Sequence, residues 1–229
     1  MQYGQFCPVA KAMEILGERW TILIVRELLM GATRFSELQR GLCQISPSIL
    51  SKRLDELGRA GVLLRKRIPG QRGYEYYLSE MVKELMPVVI AIGNWGMGWA
   101  RGEITESELD VELLMLYLQR SVDPDKLVGD ENIVRFRFTD RKTLADWWLV
   151  VKDGEVDLCN RDPGKEVDVY FTTELRTMIE LWMGDVPYHT ALTDGRLTLV
   201  GPRALIRNVH HWLAPARFAD VPSAGSITI

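Results

Sequence analysis

Gln44-Ile45-Ser46-Pro47-Ser48-Ile49-Leu50-Ser51-Lys52-Arg53-Leu54-Asp55-Glu56-Leu57 decides the fold of the first half of the chain. Ser46 reads as a helix N-cap, because a short hydroxyl side chain there accepts from an open backbone N–H of the first turn. Pro47 follows at the first helical position, where its missing N–H costs nothing. Leu50, Leu54 and Leu57 recur at spacings of four and three, which sets one apolar face. Ser48, Ser51, Lys52 and Asp55 then lie on other faces, with Arg53 at their margin. Gly58 and Gly61 mark the exit. The helix offers small hydroxyls at its head and two cations one turn later, on a terminus whose open N–H groups attract phosphate.

Upstream, Pro8–Leu16 carries Val9, Met13 and Leu16 on one stripe and stops at Gly17. Residues 20–30 are more continuously apolar, as a helix central to a small bundle should be, and end at Gly31. A short helix fits 35–42, with Phe35, Leu38 and Leu42 inward. Downstream, 62–67 and 74–78 read as strands around Pro69-Gly70-Gln71-Arg72-Gly73. Ser79 caps a last helix over 79–99, kinked at Pro87. Helix, short turn, Ser-Pro-capped helix and hairpin are the parts of a winged helix-turn-helix, whose second helix enters the major groove while the wing lies beside the minor groove. The candidate DNA contacts are Arg34, Ser36, Ser46, Ser48, Ser51, Lys52 and Arg53 on the helices, and Arg65, Lys66, Arg67, Gln71 and Arg72 on the wing. The wing cations suit phosphate, which positions a protein on DNA without specifying sequence.

Net charge over the 229 residues is −3, which taken alone argues against nucleic acid. The two halves differ. Residues 1–100 carry 13 Lys and Arg against nine Asp and Glu, and 101–229 carry 15 against 22. Within 34–72 nine basic residues face three acidic ones, the footprint of a polyanion-binding patch. The most apolar stretch, 87–100, is interrupted by three glycines and is too short to span a bilayer. The N-terminus has no apolar signal region, and the three cysteines fit no disulfide framework. The expected location is the cytoplasm.

A resemblance joins these elements. Cys7-Pro8-Val9-Ala10, Leu16-Gly17-Glu18-Arg19-Trp20-Thr21, Arg26-Glu27-Leu28, Arg34-Phe35-Ser36-Glu37-Leu38, Ile45-Ser46, Leu50-Ser51-Lys52-Arg53-Leu54, Leu57 and Trp95-Gly96 together resemble the HxlR-type regulators, relatives of the MarR group, over about residues 6–100. The resemblance implies a homodimer on a pseudo-palindromic operator in double-stranded DNA, joined through helices 8–16 and 79–99. Val88, Val89, Ile90, Ile92, Trp95, Met97 and Trp99 give the latter the apolar excess of a seam; the alternative is that it is core for its own domain. Cys7 also has two readings. It is a redox or electrophile sensor favoured by a helix start, or an inert, partly buried thiol. Cys43, flanked by Leu42 and Ile45, reads as structural.

The sequence changes character after a polar linker at 101–109. A helix fits 109–119, and 133–139 alternates strictly between Val134, Phe136, Phe138 and Arg135, Arg137, as a half-buried strand does. Strands follow at 146–152, 155–159 and 167–172, the first two joined by the hairpin signal Asp153-Gly154. Thr173 caps a helix over 174–183. A strand at 195–200 and a helix near 202–213 close the domain, and the Pro/Ala-rich tail from Ala214 is ordered only by contacts. This order, with Leu192, Gly195, Leu197 and Gly201 before the last helix, resembles the sterol carrier protein type 2 fold over about 110–213. The resemblance implies an apolar tunnel for fatty or sterol-like molecules. Trp147, Leu149, Phe171, Met178, Trp182, Met183 and Trp212 are the candidate lining residues, against the plainer reading that they are core.

No metal, cofactor or catalytic signature stands out: the adjacent His210 and His211 point about 100° apart on a helix, and no P-loop, His-Glu-x-x-His or Cys-x-x-Cys occurs. The chain is not expected to be an enzyme. The expected fold class is α+β, with a winged helix-turn-helix DNA-binding and dimerisation domain at 1–100 and a sterol-carrier-like α+β domain at 110–229. The function these features point to is a homodimeric DNA-binding repressor whose affinity is modulated by an apolar, lipid-like effector in the second domain. Two alternatives stay open. One is a Cys7 redox regulator with the second domain only a dimerisation scaffold; the other is a lipid-type carrier that has lost DNA binding.

Overall fold

The computed structural model describes residues 2–70, 72–100, 102 and 104–222. The chain divides into two units, Met1–Trp95 and Gly96–Ile229, each with its own apolar core.

The first unit runs α1 (Pro8–Leu16), α2 (Thr21–Leu29), α3 (Phe35–Gly41), α4 (Pro47–Arg59), β1 (Leu63–Arg67), β2 (Tyr74–Leu78), α5 (Glu80–Lys83) and α6 (Met86–Trp95). Ser46 caps α4 by accepting from the Ile49 N–H at 3.3 Å. Leu50, Leu54 and Leu57 are buried against Ile24, Val25 and Leu38 in the core cluster of the unit. β1 and β2 pair antiparallel, with Leu63 opposite Leu78 and Arg67 opposite Tyr74. Periodicity could not show that the wing is tied back to α3 by a single bridge, Arg34 to Glu75. The Tyr76 N–H donates to the Thr33 carbonyl beside it at 2.8 Å.

A buried ion pair fixes α2 against α3. Glu27 has no exposed surface; Arg26 donates to its Oε1 through Nε and Nη2, at 3.0 and 2.7 Å, and through Nη2 to the Gly41 carbonyl at 3.1 Å. A β-carbon on Gly41 would collide with the Glu27 carboxylate. A fully desolvated carboxylate persists only when paired this closely, and the pairing needs a glycine at that approach.

The expected single helix over 79–99 is corrected. The chain forms α5 and then α6, and a turn of π-helix over Gly96–Ala100 follows in the second unit. Pro87 is the cause: it has no N–H to donate to the Lys83 carbonyl and its ring would strike that group, so it is accommodated in the first turn of a new helix instead. Ser79 sits at the start of α5 without a side-chain cap; its hydroxyl donates to the Val62 carbonyl at 3.2 Å and holds the helix to the wing.

The second unit contains α7 (Val111–Ser121), β3 (Glu131–Phe138), β4 (Asp146–Lys152), β5 (Glu155–Cys159), β6 (Val169–Thr173), α8 (Leu175–Met183), α9 (Tyr188–Thr193), β7 (Leu197–Val200), α10 (Arg203–Arg207) and α11 (Val209–Trp212). Among the described residues the strands form a five-stranded sheet in the order β5-β4-β3-β6-β7, with β3 and β6 parallel and the other pairs antiparallel. Asp153 and Gly154 both take positive φ, +52° and +78°, the turn that matches the twist of a tight hairpin. Phe136 lies between Trp147 and Phe171 in register, and with Leu149, Met178 and Trp212 these form the centre of the core.

Two further details depart from the expectations, and the tail is ordered by contacts as expected. Thr173 does not cap α8; its hydroxyl donates to the Arg196 carbonyl at 2.7 Å, and the Leu175 N–H donates to Asp140 Oδ1, from a loop far away in sequence. The segment 202–213 is two short helices meeting at Asn208. The tail is fixed where it is described: Ala214 and Ala216 donate to the Ser121 and Trp182 carbonyls, and Ala219 lies over Gly184, where any side chain would clash.

Candidate nucleic-acid interface

Helix α4 and the wing present most of their polar side chains to solvent, because the leucine stripe and the β1–β2 pairing use up the inward positions. Arg34, Ser36, Ser48, Ser51, Lys52, Arg65, Lys66, Arg67 and Arg72 are exposed, and Ser46 is half-buried. Gln71 lies outside the described residues. The exposed groups are not equivalent. Ser46 and Ser48 have their hydroxyls 3.1 Å apart at the cap. Arg34 faces Glu75 at 3.7 Å, and Glu75 also accepts from the Tyr77 hydroxyl at 2.8 Å, a bond to an anion that pushes the phenol pKa up. Lys52 approaches Glu56 only loosely, at 3.9 Å.

The wing is built for rigidity. Arg65 donates to Asp55 at 3.1 Å and lies 3.6 Å from the centre of the Tyr74 ring, and Lys66 lies 4.8 Å from that of Tyr77. The guanidinium and the ammonium thus lie over aromatic faces, where the ring quadrupole attracts a cation, while both residues remain exposed. Arg67 and Arg72 flank the turn Ile68-Pro69-Gly70 and have no ion-pair partner among the described residues. They are the cations best placed to answer a phosphate.

Arg53 lies at the margin of the polar faces, as its spacing suggested, but is held by carboxylates of its own unit. It is mostly buried and donates to Glu18 at 2.9 Å and to Glu56 at 2.6 Å, so it clamps α4 to the turn between α1 and α2. Its charge is already answered within the unit. Ile49 was not among the candidate contacts, yet it is 44% exposed at the head of α4. A large apolar residue at a helix position outside the Leu50-Leu54-Leu57 stripe is the signal that would have found it.

Two apolar helices are left largely uncovered among the described residues, although Val89 of α6 packs partly on the core. Neither α1 nor α6 contains a buried residue, and Phe6, Val9, Ile15, Val88, Ile92 and Trp95 are all exposed, Phe6 at 99% and Trp95 at 62%. Cys7 sits half-buried at the start of α1. Cys43, expected to be structural, is instead exposed in the α3–α4 turn, where Leu42 and Ile45 turn inward on either side of it.

In the second unit Trp147, Leu149, Phe171, Met178 and Trp212 come together as close-packed core. The rings of Phe136 and Phe171 stack with centroids 4.6 Å apart, and Trp212 meets Phe171 edge-on at 6.1 Å. The indole N–H groups of Trp147 and Trp212 are satisfied by the Leu144 and Leu205 carbonyls. Trp182 is at the margin, stacked on Tyr117 at 5.0 Å and donating to Ser121, and Met183 is half-buried beside it. No group of side chains among the described residues has a metal-binding arrangement, and none of their helices is long and apolar enough to cross a membrane.

Comparison with known proteins agrees with both halves. Residues 15–104 match the HxlR-like helix-turn-helix family, and residues 114–214 match the SCP-2 sterol transfer family. The chain is 41% identical over 101 residues to the HTH-type transcriptional regulator YvaP of Bacillus subtilis, taking in 43% of this chain and 94% of that protein. It is 33% identical over 107 residues to the HTH-type regulator sll1512 of Synechocystis, taking in 46% and 79%. A solved MarR-family regulator from Porphyromonas gingivalis W83 is 31% identical, covering 41% of this chain and 92% of its own, with a TM-score of 0.39. The chain belongs to the HxlR-like helix-turn-helix family of transcriptional regulators, and carries after its helix-turn-helix a domain of the SCP-2 sterol transfer family.

Proposed function

We propose that the chain is a homodimeric repressor that holds a pseudo-palindromic operator with two copies of α4 and the wing, and that an apolar small molecule taken up by the second unit resets its DNA affinity. It acts by binding rather than by catalysis, in the cytoplasm with the DNA. One observation carries the reading: the unit that exposes Lys52, Arg67 and Arg72 is also the unit in which α1 and α6 contain no fully buried residue and leave large apolar side chains exposed. A reader of two half-sites needs both a cationic face and a two-fold apolar seam, and a C2 interface supplies the seam from one patch used twice.

The effector part of the reading rests on the SCP-2 match over 114–214 and on the aromatic and methionine content of that unit's core. A lipid-like guest enters at the expense of the Phe136, Phe171 and Trp212 contacts. It changes DNA affinity only to the extent that it binds the DNA-competent and incompetent dimers unequally. Electrophoretic shift of the full chain on its own upstream DNA tests both parts, run across salt and with or without a fluorescent C18 polyene fatty acid. Specific binding should fall steeply with salt through counterion release. The fatty acid should bind and lower operator affinity, whereas alkylation of Cys7 should leave it unchanged. A bound probe with unaltered operator affinity would remove the effector and leave the reader standing.

A further inference from the structure

The head of α4 carries a side chain that its own unit does not use. Ile49, the third residue of the helix, is 44% exposed and takes no part in the apolar cluster formed by Leu50, Leu54 and Leu57. Its backbone N–H is held by Ser46 Oγ, so the cap fixes the backbone from which the side chain projects. The neighbours that would compete for the same space are already engaged: Ser46 with Ser48, Arg53 with Glu18 and Glu56, Asp55 with Arg65. Of the first two turns, this leaves Ile49, Ser51 and Lys52 to meet an occupant of the groove. Lys52 and Ser51 are suited to phosphate oxygens and base acceptors. An isoleucine is suited to neither.

The major-groove edge of DNA presents one apolar group among its donors and acceptors, the 5-methyl of thymine. We propose that Ile49 is a specificity-determining residue that packs on a thymine 5-methyl group in each half-site. The inference rests on α4 being the DNA-reading helix, and goes beyond it by assigning one side chain to one base. It also accounts for an exposed large aliphatic side chain at a position where a polar residue would satisfy the helix equally well.

The test uses the full-length chain. Bound duplexes are selected from a random pool, and each thymine of the selected site is then replaced in turn by deoxyuridine, which deletes only the methyl group. Wild type should lose about fourfold in affinity at one thymine per half-site, the loss expected for one apolar carbon no longer removed from water. Ile49→Ala should bind thymine and uracil at that position equally, while the uracil penalties at other positions persist. Ile49→Val, which keeps the branched methyls, should retain part of the discrimination and guards against a folding artefact in the alanine variant. The proposal is overturned if Ile49→Ala keeps every uracil penalty of the wild type, or if no thymine shows one. A pool that enriches no sequence overturns the assignment of α4 itself, a result distinct from either of these.

Discussion

The two units treat their largest apolar side chains in opposite ways. In the second, Phe136, Phe138, Phe171 and Trp212 are all under 2% exposed, locked between a five-stranded sheet and its helices. In the first, the buried core is mostly leucine, isoleucine and valine with Tyr76 as its buried aromatic, and the aromatic residue of α6, Trp95, faces solvent. Charge divides the same way, basic over 1–100 and acidic over 101–229. The contrast separates two meanings of an apolar side chain. Where the sheet and helices already enclose it, it supplies stability to its own unit. Where a helix holds it out to solvent, the proposed function makes it surface for a second copy.

The largest effect that would test this contrast is in the second unit. Phe171→Ala removes a ring packed on Phe136 and Trp212, and should cost about 3–5 kcal/mol of stability. Calorimetry should show one transition lowered, with operator binding in the cold retained; a loss near zero would mean that the centre of the core is slack. In the first unit Ile92→Glu, on exposed α6, should leave the unfolding temperature of the isolated protomer within a few degrees. By placing carboxylates in an apolar two-fold seam it should weaken the dimer about a hundredfold, equivalent to ~2.7 kcal/mol. Sedimentation equilibrium measures this directly. A dimer of unchanged strength would transfer the seam elsewhere.

The elements of the reader were legible because its signals are local. The Ser46-Pro47 start, the Leu50-Leu54-Leu57 stripe and the Pro69-Gly70 turn each lie within a few residues of what they determine. What the sequence left hidden depends on partners distant along the chain. Arg53 looks like a presented cation until Glu18, 35 residues away, is seen to take it. Thr173 looks like a cap until Arg196 claims its hydroxyl and Asp140 does the capping. Pro87 announced a disturbance, but the choice between kink and break depends on whether the carbonyl of the preceding turn has another donor. The aromatic residues of the second unit were identifiable as a set. Their packing against one another, which distinguishes core from open lining, was not.

Smaller effects sharpen the electrostatic side of the comparison. Arg67→Ala and Arg72→Ala remove two wing cations that have neither an ion-pair partner nor an aromatic ring beneath them among the described residues. Each should lower the slope of log affinity against log salt by about 0.9 per protomer, about 1.8 for the dimer, with the sequence preference of the reader unchanged. Arg53→Ala should behave differently: it frees Glu18 and Glu56 and loosens α4, so it lowers thermal stability and leaves the salt slope nearly unchanged. If Arg53→Ala lowers the slope as much as Arg67→Ala does, the clamp opens on DNA and the cation is a phosphate contact after all.

The smallest effect discriminates most finely, because at Ser46 the cap and the proposed DNA contact are the same side chain. Ser46→Ala removes the acceptor for the Ile49 N–H and should cost about 1 kcal/mol of stability, read as a shift in the denaturant midpoint. Ser46→Asp should recover that stability, since a carboxylate caps as well as a hydroxyl and is favoured by the positive end of the helix dipole. On DNA the two variants part. The aspartate places a negative charge at the head of α4, where an approaching phosphate needs an open N–H, so Ser46→Asp should bind operator at least tenfold more weakly than Ser46→Ala while being the more stable protein. Stability and affinity moving in opposite directions at one residue would place the end of α4 against the DNA backbone. Equal recovery of both would mean that the cap serves the fold alone, and that the wing does most of the holding.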